Sequence, residues 1–204
     1  MKLRLAVLLS GSGTTLQNII DLSEAGTLDA EVVCVVSSRG KAYGLERAAN
    51  HQIPATAITA KDYPEQDVRN TAIWDYIRPY KADLVVLAGY MSLVTVPEDF
   101  ANRIINVHPA LIPAFCGQGM YGHHVHQAVV DYGAKISGAT VHFVDDAYDH
   151  GPIILQEAIP VHDNDTADTL AERVQALERK IYPKAIQMIA EERVRVEGRR
   201  VYVR

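Results

Sequence analysis

Continuous apolar runs alternate with amphipathic segments along the first half of the chain. Leu3 to Leu9 form the first run, and β-branched residues dominate the second, Glu31 to Val36. A third run covers Asp83 to Ala88. Strands that are apolar throughout and separated by helices are typical of a parallel sheet covered on both faces. The pattern therefore predicts a doubly wound α/β arrangement for this half.

Helical spacing of apolar residues predicts the segments that connect these strands. The predicted helices cover 16–26, 45–52 and 65–80, with a short extended piece at Ile53 to Ile58. The glycine-containing loop SGSGTT, residues 10–15, separates the first strand from the first helix. This succession of strands and helices supports the α/β assignment.

The second half departs from this repeat. Strands are predicted at Arg103 to Val107, Gly138 to Val144 and Pro152 to Ala158, and the last two indicate a hairpin added to the parallel sheet. Residues 165–192 have the strongest helical pattern, and the tail predicts a small hairpin around Glu197-Gly198. The predicted fold is α/β, a doubly wound, mostly parallel sheet with an added hairpin and a long C-terminal helix.

The long C-terminal helix has a predicted start and a predicted weak point. Asp165 or Thr166 could cap its first turn, and Pro183 is expected to kink or divide it. Its apolar stripe is Leu170, Val174, Leu177 and Ile181.

Composition and charge narrow the class of protein. The chain has 204 residues, 48% of them hydrophobic and 22% charged, which is enough to bury a core. Its formal net charge of -5 and pI of about 5.9 argue against nucleic-acid binding. No run approaches the roughly 20 apolar residues of a membrane span, and the apolar start leads into a glycine loop instead of a signal-peptide cleavage site. We therefore expect a cytoplasmic protein that does not bind membranes.

Neither a disulfide nor a metal site is predicted. Cys34 and Cys116 lie far apart in different contexts, and Cys116 is better explained as a structural thiol than as a nucleophile. His123, His124 and His126 have no cysteine or carboxylate at a metal-ligand spacing. The three histidines are more typical of a loop that enters a helix.

The first glycine loop is a candidate anion site. Backbone N–H groups at the start of a helix that follows a strand favour a phosphate. The loop is not a full G-x-G-x-x-G, because Leu16 stands at the third glycine position, and it lacks the lysine of a Walker loop. A single phosphate is thus favoured over a dinucleotide, with a tight turn that binds nothing as the alternative.

Three polar residues near predicted strand ends could carry chemistry. Asn106 and His108 alternate on an extended segment, so both can face one ligand. An amide can donate to an oxyanion, and an imidazole can exchange a proton near neutral pH. Asp149, in competition with Asp145 and Asp146, could approach His108 and raise its pKa. Taken alone, these residues are more typical of a polar strand end and a solvated turn than of a catalytic site.

Five segments in order resemble the phosphoribosylglycinamide formyltransferase family, over nearly the whole chain. They are SGSGTTLQNIID, DLVVLAGYM, INVHPALIP, GATVHFVDDAYDHGPIILQ and RVQALERKIYP. The resemblance implies a Rossmann-like formyltransferase fold and an enzyme of purine biosynthesis. That enzyme would transfer the formyl group of 10-formyltetrahydrofolate, as co-substrate and without a metal, to the amine of glycinamide ribonucleotide.

The resemblance also implies a role for each matching residue. Asn106, His108 and Asp149 would form the catalytic set, with His142 as a supporting residue. Asn106 would bind the formyl oxygen, and Asp149 would keep His108 protonated during direct attack through a tetrahedral intermediate. The resemblance implies that the phosphate is bound by Gly13, Thr14 and Thr15, and the ribose by Glu178 and Gln175. The implied folate-binding residues are Met91, Ser92, Leu93, Val94 and Asn106.

The expected organisation is one catalytic domain, 1–204. Residues 1–100 would form the phosphate-binding α/β half, 101–190 the catalytic and folate half, and 191–204 the small C-terminal hairpin. The expected partners are small-molecule substrates, and the sequence leaves a monomer and a homodimer equally open.

The sequence departs from the family pattern in four places. Thr15 replaces an asparagine in the phosphate loop, and Ser92 and Gln66 stand where cations that bind the folate glutamate are common. The loop Phe115 to His124 is longer than usual, and its role as a lid is a hypothesis.

Three other functions compete. A 10-formyltetrahydrofolate deformylase has a similar Asn, His and Asp set but normally carries an extra regulatory domain. Methionyl-tRNA formyltransferase would need a C-terminal RNA-binding domain. A non-catalytic nucleotide-binding module would explain the sheet and the glycine loop, but not the three polar residues in their family contexts.

Overall fold

A computed structural model describes residues 2–204, which divide into two compact units, one up to Ile105 and the other Asn106–Arg204. The boundary falls inside a strand that carries two of the predicted catalytic residues. The prediction of one catalytic domain stays a prediction.

The first unit alternates strands and helices as predicted. Its elements are β1 (Leu3–Leu9), α1 (Thr14–Glu24), β2 (Ala30–Ser37), α2 (Tyr43–Asn50), β3 (Ala55–Ala57), α3 (Gln66–Ile77) and β4 (Leu84–Leu87). The strands pair in parallel in the order β3-β2-β1-β4. The residues of β1 from Leu5 onwards are fully buried, as expected for a strand covered on both faces. A short 3₁₀ turn, Arg78–Tyr80, completes the predicted third helix.

The second unit holds the predicted hairpin and the long helix. Its elements are β5 (Ile104–His108), which begins two residues before the boundary, then α4 (His123–Tyr132), β6 (Ile136–Phe143), β7 (Ile153–Pro160), α5 (Ala167–Ala190), β8 (Val194–Glu197) and β9 (Arg200–Val203). The antiparallel pair β6 and β7 is the predicted hairpin, and β8 and β9 form the small C-terminal one. Strands β1 to β7 belong to a mostly parallel seven-stranded sheet, which confirms the predicted fold class.

Helix α5 starts where it was predicted and runs without interruption to Ala190. Thr166 caps it, because its hydroxyl accepts from the Thr169 amide while the Thr169 hydroxyl accepts from the Thr166 amide. Pro183 was expected to kink or divide the helix; division is wrong, since α5 is continuous through it, and a kink stays a prediction. Proline removes one backbone hydrogen bond, but Ile181 and Tyr182 beside it are fully buried, and that packing offsets the loss.

No helix within residues 2–204 is long and apolar enough to cross a membrane.

Candidate active site

Four polar side chains meet in the second unit, where β5 and β6 end. Asn106 and His108 alternate on β5 and therefore point to the same side of the strand. His108 Nδ1 lies 3.3 Å from Asp149 Oδ2, and His142 Nε2 lies 3.7 Å from Asp149 Oδ1. Asn106 Nδ2 lies 3.4 Å from His142 Nε2. The structure thus brings together the predicted catalytic residues and the supporting histidine.

A backbone carbonyl determines which ring nitrogen of His108 exchanges a proton. Nε2 lies 2.8 Å from the carbonyl oxygen of Phe115. Because a carbonyl can only accept, Nε2 carries the hydrogen and donates it. Nδ1, which faces Asp149, is therefore the nitrogen that gains and loses a proton. The side chain of His108 is only 3% exposed, so this orientation is also fixed by packing.

The same reasoning orients the amide of Asn106. His142 Nδ1 lies 2.7 Å from the carbonyl oxygen of Phe143, so Nδ1 carries a hydrogen, and in the tautomer without a second ring hydrogen Nε2 is an acceptor. Nε2 accepts from Asn106 Nδ2 at a long 3.4 Å. One N–H of the Asn106 amide is used in this way, and the other remains available for a ligand oxygen.

Asp149 has an unusual backbone conformation that its surroundings stabilise. Its φ is 52°, in the left-handed region that costs a non-glycine residue about 1–2 kcal/mol. The amide of Gly117 donates to Asp149 Oδ2 at 2.9 Å. Two residues on, a Cβ at Gly151 would lie 1.9 Å from the carbonyl oxygen of Phe143, so only glycine allows the chain to return to the sheet here. Such strain persists where neighbouring contacts determine the conformation.

Burial and charge act in opposite directions on this cluster. Burial lowers the pKa of His108, while Asp149 and the bond to the Phe115 carbonyl raise it, and burial is the larger effect. Asp149 therefore raises the pKa of His108 as predicted, and burial outweighs that contribution. For Asp149, burial raises the pKa, but His142, His108 and the Gly117 amide together outweigh burial and lower it.

The turn after β5 is fixed from the neighbouring hairpin. Thr140 Oγ1 donates to the carbonyl oxygen of Ala110 at 2.6 Å and accepts from the amide of Ile112 at 3.1 Å. Gln156 Nε2 donates to the carbonyl oxygen of Ile112 at 2.9 Å. The Ile112–Pro113 peptide bond is cis. The turn that follows His108 is therefore positioned by β6 and β7.

The loop Phe115 to His124 contributes backbone groups to the cluster. Phe115 has a φ of 50°, and its ring makes an edge contact with Tyr132, with ring centroids 5.8 Å apart. Burial, with a smaller effect from Asp149, raises the pKa of the Cys116 thiol, as expected for a thiol that is not a nucleophile. The loop supports His108 and Asp149 in this conformation, and its role as a lid stays a prediction.

The histidines of α4 have different environments. His123 Nε2 lies 3.2 Å from Asp168 Oδ1 on the surface, whereas His126 is buried, and burial lowers its pKa to about 4. Among residues 2–204, no group of three or more His, Cys, Asp or Glu side chains is arranged to hold a metal ion.

The predicted phosphate loop lies in the first unit, before α1. Gly13 has a φ of 70°, and a Cβ on it would lie 2.6 Å from the Cα of Gly44, so both glycines are needed for this close approach. No side chain caps α1, and the helix starts at Thr14 and Thr15. Its first N–H groups are therefore suited to an anion. Arg47 supports the loop from α2 by donating to the carbonyl oxygen of Ser12 at 2.8 Å.

The predicted folate segment also belongs to the first unit and follows β4. The amide of Met91 donates to Ser10 Oγ at 2.9 Å. Ser10 and Ser38 share a hydrogen bond of 2.6 Å. Met91 is half exposed, Ser92 and Leu93 are partly exposed, and Val94 is buried. The segment thus offers an apolar surface that is anchored to the start of the phosphate loop.

The predicted ribose-binding residues lie on α5. Gln175 is exposed and Glu178 is partly buried. Burial raises the pKa of Glu178 to about 7, with a smaller opposite effect from Arg179. A carboxylate with this environment gains from hydrogen-bond donors such as ribose hydroxyls, since those donors stabilise its charged form.

Comparison with known proteins assigns the family. Residues 3–186 match the model described as Formyl transferase. The chain belongs to the formyl transferase family. This formyltransferase is 37% identical over 202 residues to the phosphoribosylglycinamide formyltransferase of Haemophilus influenzae. The matched residues cover 98% of this chain and 93% of that protein. Membership of the family implies a folate-type formyl donor.

Solved structures support the same family. The formyltransferase is similar to glycinamide ribonucleotide transformylase 1 from Symbiobacterium toebii, with 44% identity, a TM-score of 0.92 and coverage of 99% of this chain and 94% of that one. A formyltetrahydrofolate deformylase from Pseudomonas syringae pv. tomato str. DC3000 gives a TM-score of 0.88 at 24% identity, covering 100% of this chain and 66% of that one. At that identity the similarity shows a shared fold alone.

Several supporting groups of the formyltransferase were missed by sequence reasoning. Phe115 acts through its carbonyl, Gly117 through its amide, and Thr140 through a hydroxyl that faces the turn after β5. None of these groups has a sequence signal, because each depends on the conformation of a loop or on strand pairing. Gly151 has a sequence signal, since it lies in the motif GATVHFVDDAYDHGPIILQ, but sequence reasoning gave it no role.

Replacing Asp149 with asparagine tests the electrostatic coupling in the formyltransferase. Asp149 raises the pKa of His108 against the larger effect of burial. Removing the negative charge therefore lowers the pKa of His108 further below its ordinary value. NMR titration of the His108 ring in Asp149→Asn should give a lower midpoint than in the unmodified protein. Asp146→Asn is the matched control and should leave the midpoint unchanged, whereas a higher midpoint in Asp149→Asn would contradict the coupling.

Glu178→Gln tests the environment of the candidate ribose-binding carboxylate. The folded pKa of about 7 lies above the ordinary 4.5, so the stabilising contribution is complete below pH 4.5 and lost as the pH rises through 7. At pH 8 the free energy of unfolding of the variant should exceed that of the unmodified formyltransferase by at most about 3 kcal/mol. The variant should therefore unfold at a higher temperature. The difference should disappear at low pH.

Thermal unfolding at several pH values measures this effect. Glu172→Gln, at an exposed position on the same helix, is the control and should show no such pH dependence. Equal effects of the two substitutions at pH 8 would contradict the assignment of the raised pKa to Glu178.

Proposed function

We propose that this formyltransferase transfers the formyl group of 10-formyltetrahydrofolate to the amine of glycinamide ribonucleotide, a step of purine biosynthesis. The observation that carries the proposal is the group of Asn106, His108, Asp149 and His142, in which both histidines are buried. This group lies in a chain that is similar over 98% of its length to a phosphoribosylglycinamide formyltransferase. An amide that donates to the carbonyl oxygen of a substrate, beside an imidazole that exchanges a proton, is suited to acyl transfer.

The proposed reaction begins with His108 neutral, because burial lowers its pKa. The amine of the substrate attacks the formyl carbon, and the formyl oxygen becomes an oxyanion. The free N–H of Asn106 donates to this oxyanion. The negative charge raises the pKa of the adjacent imidazole, so Nδ1 takes up the proton that the amine releases. The resulting imidazolium stabilises the tetrahedral intermediate.

Collapse of the intermediate returns the proton. The bond between the formyl carbon and the folate nitrogen breaks, and that nitrogen receives a proton as tetrahydrofolate leaves. Asp149 stabilises the imidazolium between these two steps. No net proton is gained or lost, since the amine releases one and the folate nitrogen takes up one. His142 positions Asn106 by accepting one of its N–H groups.

The remaining predicted residues would bind the two substrates. The N-terminus of α1, with Gly13, Thr14 and Thr15, would bind the phosphate, and its backbone geometry supports that role. Glu178 and Gln175 would bind the ribose, and Met91 to Val94 would contact the folate. Ser92 and Gln66 cannot supply a cation for the folate glutamate. A cytoplasmic location belongs to this proposal.

The proposal is tested by incubating the protein with 10-formyltetrahydrofolate, with and without glycinamide ribonucleotide. Release of tetrahydrofolate should require the ribonucleotide. Equal release without it would favour the deformylase. No release in either case would contradict the enzymatic proposal and favour a nucleotide-binding module.

A further inference from the structure

The C-terminal hairpin, formed by β8 and β9, lies beyond the range 3–186 that matches the family model. Its turn consists of Gly198, with a φ of 58°, and Arg199. The hairpin belongs to the second unit, as does the loop between β6 and β7 that carries Asp149. The family match assigns no role to this hairpin.

Arg199 reaches from the tip of the hairpin to the residue that follows Asp149. Its Nη2 donates to the carbonyl oxygen of His150 at 2.7 Å. Its Nη1 lies 3.1 Å from Nε2 and 3.3 Å from Nδ1 of the same ring. The two ring nitrogens point in different directions, so a single group this close to both lies over the ring face. His150 Nδ1 also lies 2.7 Å from Asp145 Oδ2.

These contacts act on a segment whose conformation needs support. Asp149 has the left-handed φ of 52°, and Gly151 beyond it packs against the backbone of Phe143. The carbonyl of His150 lies between these two points. A charged donor that fixes this carbonyl restricts rotation of the His150–Gly151 peptide, one residue beyond Asp149. Arg199 approaches from the exposed side of the loop, and Gly117 contacts Asp149 itself.

We propose that Arg199 is a positioning residue for Asp149, acting through the backbone carbonyl and ring of His150. This inference rests on the role of Asp149 in the proposed function. The planar guanidinium contacts the carbonyl with one nitrogen and the ring with the other, which an ammonium group can do only in part. The C-terminal hairpin thereby contributes to the geometry of the active site without contacting a substrate.

The test compares Arg199→Ala with Arg199→Lys and with Arg200→Ala, which removes the same charge one residue away. Arg199→Ala should lower kcat about five- to tenfold with little change in either KM, because one charge-assisted hydrogen bond is lost at a residue that does not bind substrate. Arg199→Lys should fall between Arg199→Ala and the unmodified protein. Arg200→Ala should have the unmodified kcat.

Amide hydrogen exchange of residues 144–151 gives a readout that does not depend on activity. Exchange there should be about tenfold faster in Arg199→Ala than in Arg200→Ala. Unchanged kcat and unchanged exchange in Arg199→Ala would overturn the inference, as would equal loss of kcat in Arg200→Ala. An inactive unmodified protein would contradict the proposed function instead, and the exchange measurement would still test the contact between Arg199 and His150.

Discussion

His108→Ala should lower kcat about 10²- to 10⁴-fold, the range typical of a side chain that transfers a proton in the transition state. The substrates are expected to bind almost normally, because His108 is buried at the reacting centre and its role is to accept and donate a proton there. The KM of both substrates should therefore change little. Steady-state kinetics with each substrate varied in turn measures the two effects separately.

His162→Ala is the matched control for this substitution, since His162 is exposed and contributes its backbone amide to the bond with Asp165. It should have the unmodified kcat. A kcat of His108→Ala near that of the unmodified protein would remove His108 from the mechanism.

Asn106→Ala is expected to lower kcat about 10²- to 10³-fold, as found when one oxyanion donor is removed. The reason is that Asn106 Nδ2 has one N–H directed to His142 Nε2, which leaves the second for the formyl oxygen. The loss should appear in kcat more than in KM, because the oxyanion exists only in the transition state and the intermediate.

The exposed Asn164→Ala is the control for this second substitution. It should be fully active. If Asn106→Ala raised KM while kcat remained normal, Asn106 would bind the ground state and the oxyanion assignment would be wrong.

The fold was predictable because its strands carry a strong signal. β1 is apolar at every position except Arg4 and is fully buried from Leu5 onwards, so its sequence identifies it without reference to other strands. The same-side placement of Asn106 and His108 was also predictable, since it depends only on alternation along a strand. The interruption expected at Pro183 was wrong, because local propensity does not include the buried packing of Ile181 and Tyr182.

The electrostatics of the site could not be predicted from sequence. The pairing of Asp149 with His108 was anticipated from the family resemblance, and the sign of its effect on that pKa was right. The net shift depends on how deeply His108 is buried, which is a property of the folded chain. The carbonyl of Phe115 and the amide of Gly117 were invisible for a similar reason, since every residue has these groups and only the loop conformation directs them.

The central claim is that the cluster around Asn106, His108 and Asp149 transfers a formyl group to an amine. The most direct measurement follows an isotopic label from the formyl carbon of 10-formyltetrahydrofolate in the presence of glycinamide ribonucleotide. The account predicts that the label appears in the formamide of the ribonucleotide product, and that His108→Ala and Asn106→Ala greatly reduce its rate of appearance. Label that appears as formate at the same rate with and without the ribonucleotide would contradict the account.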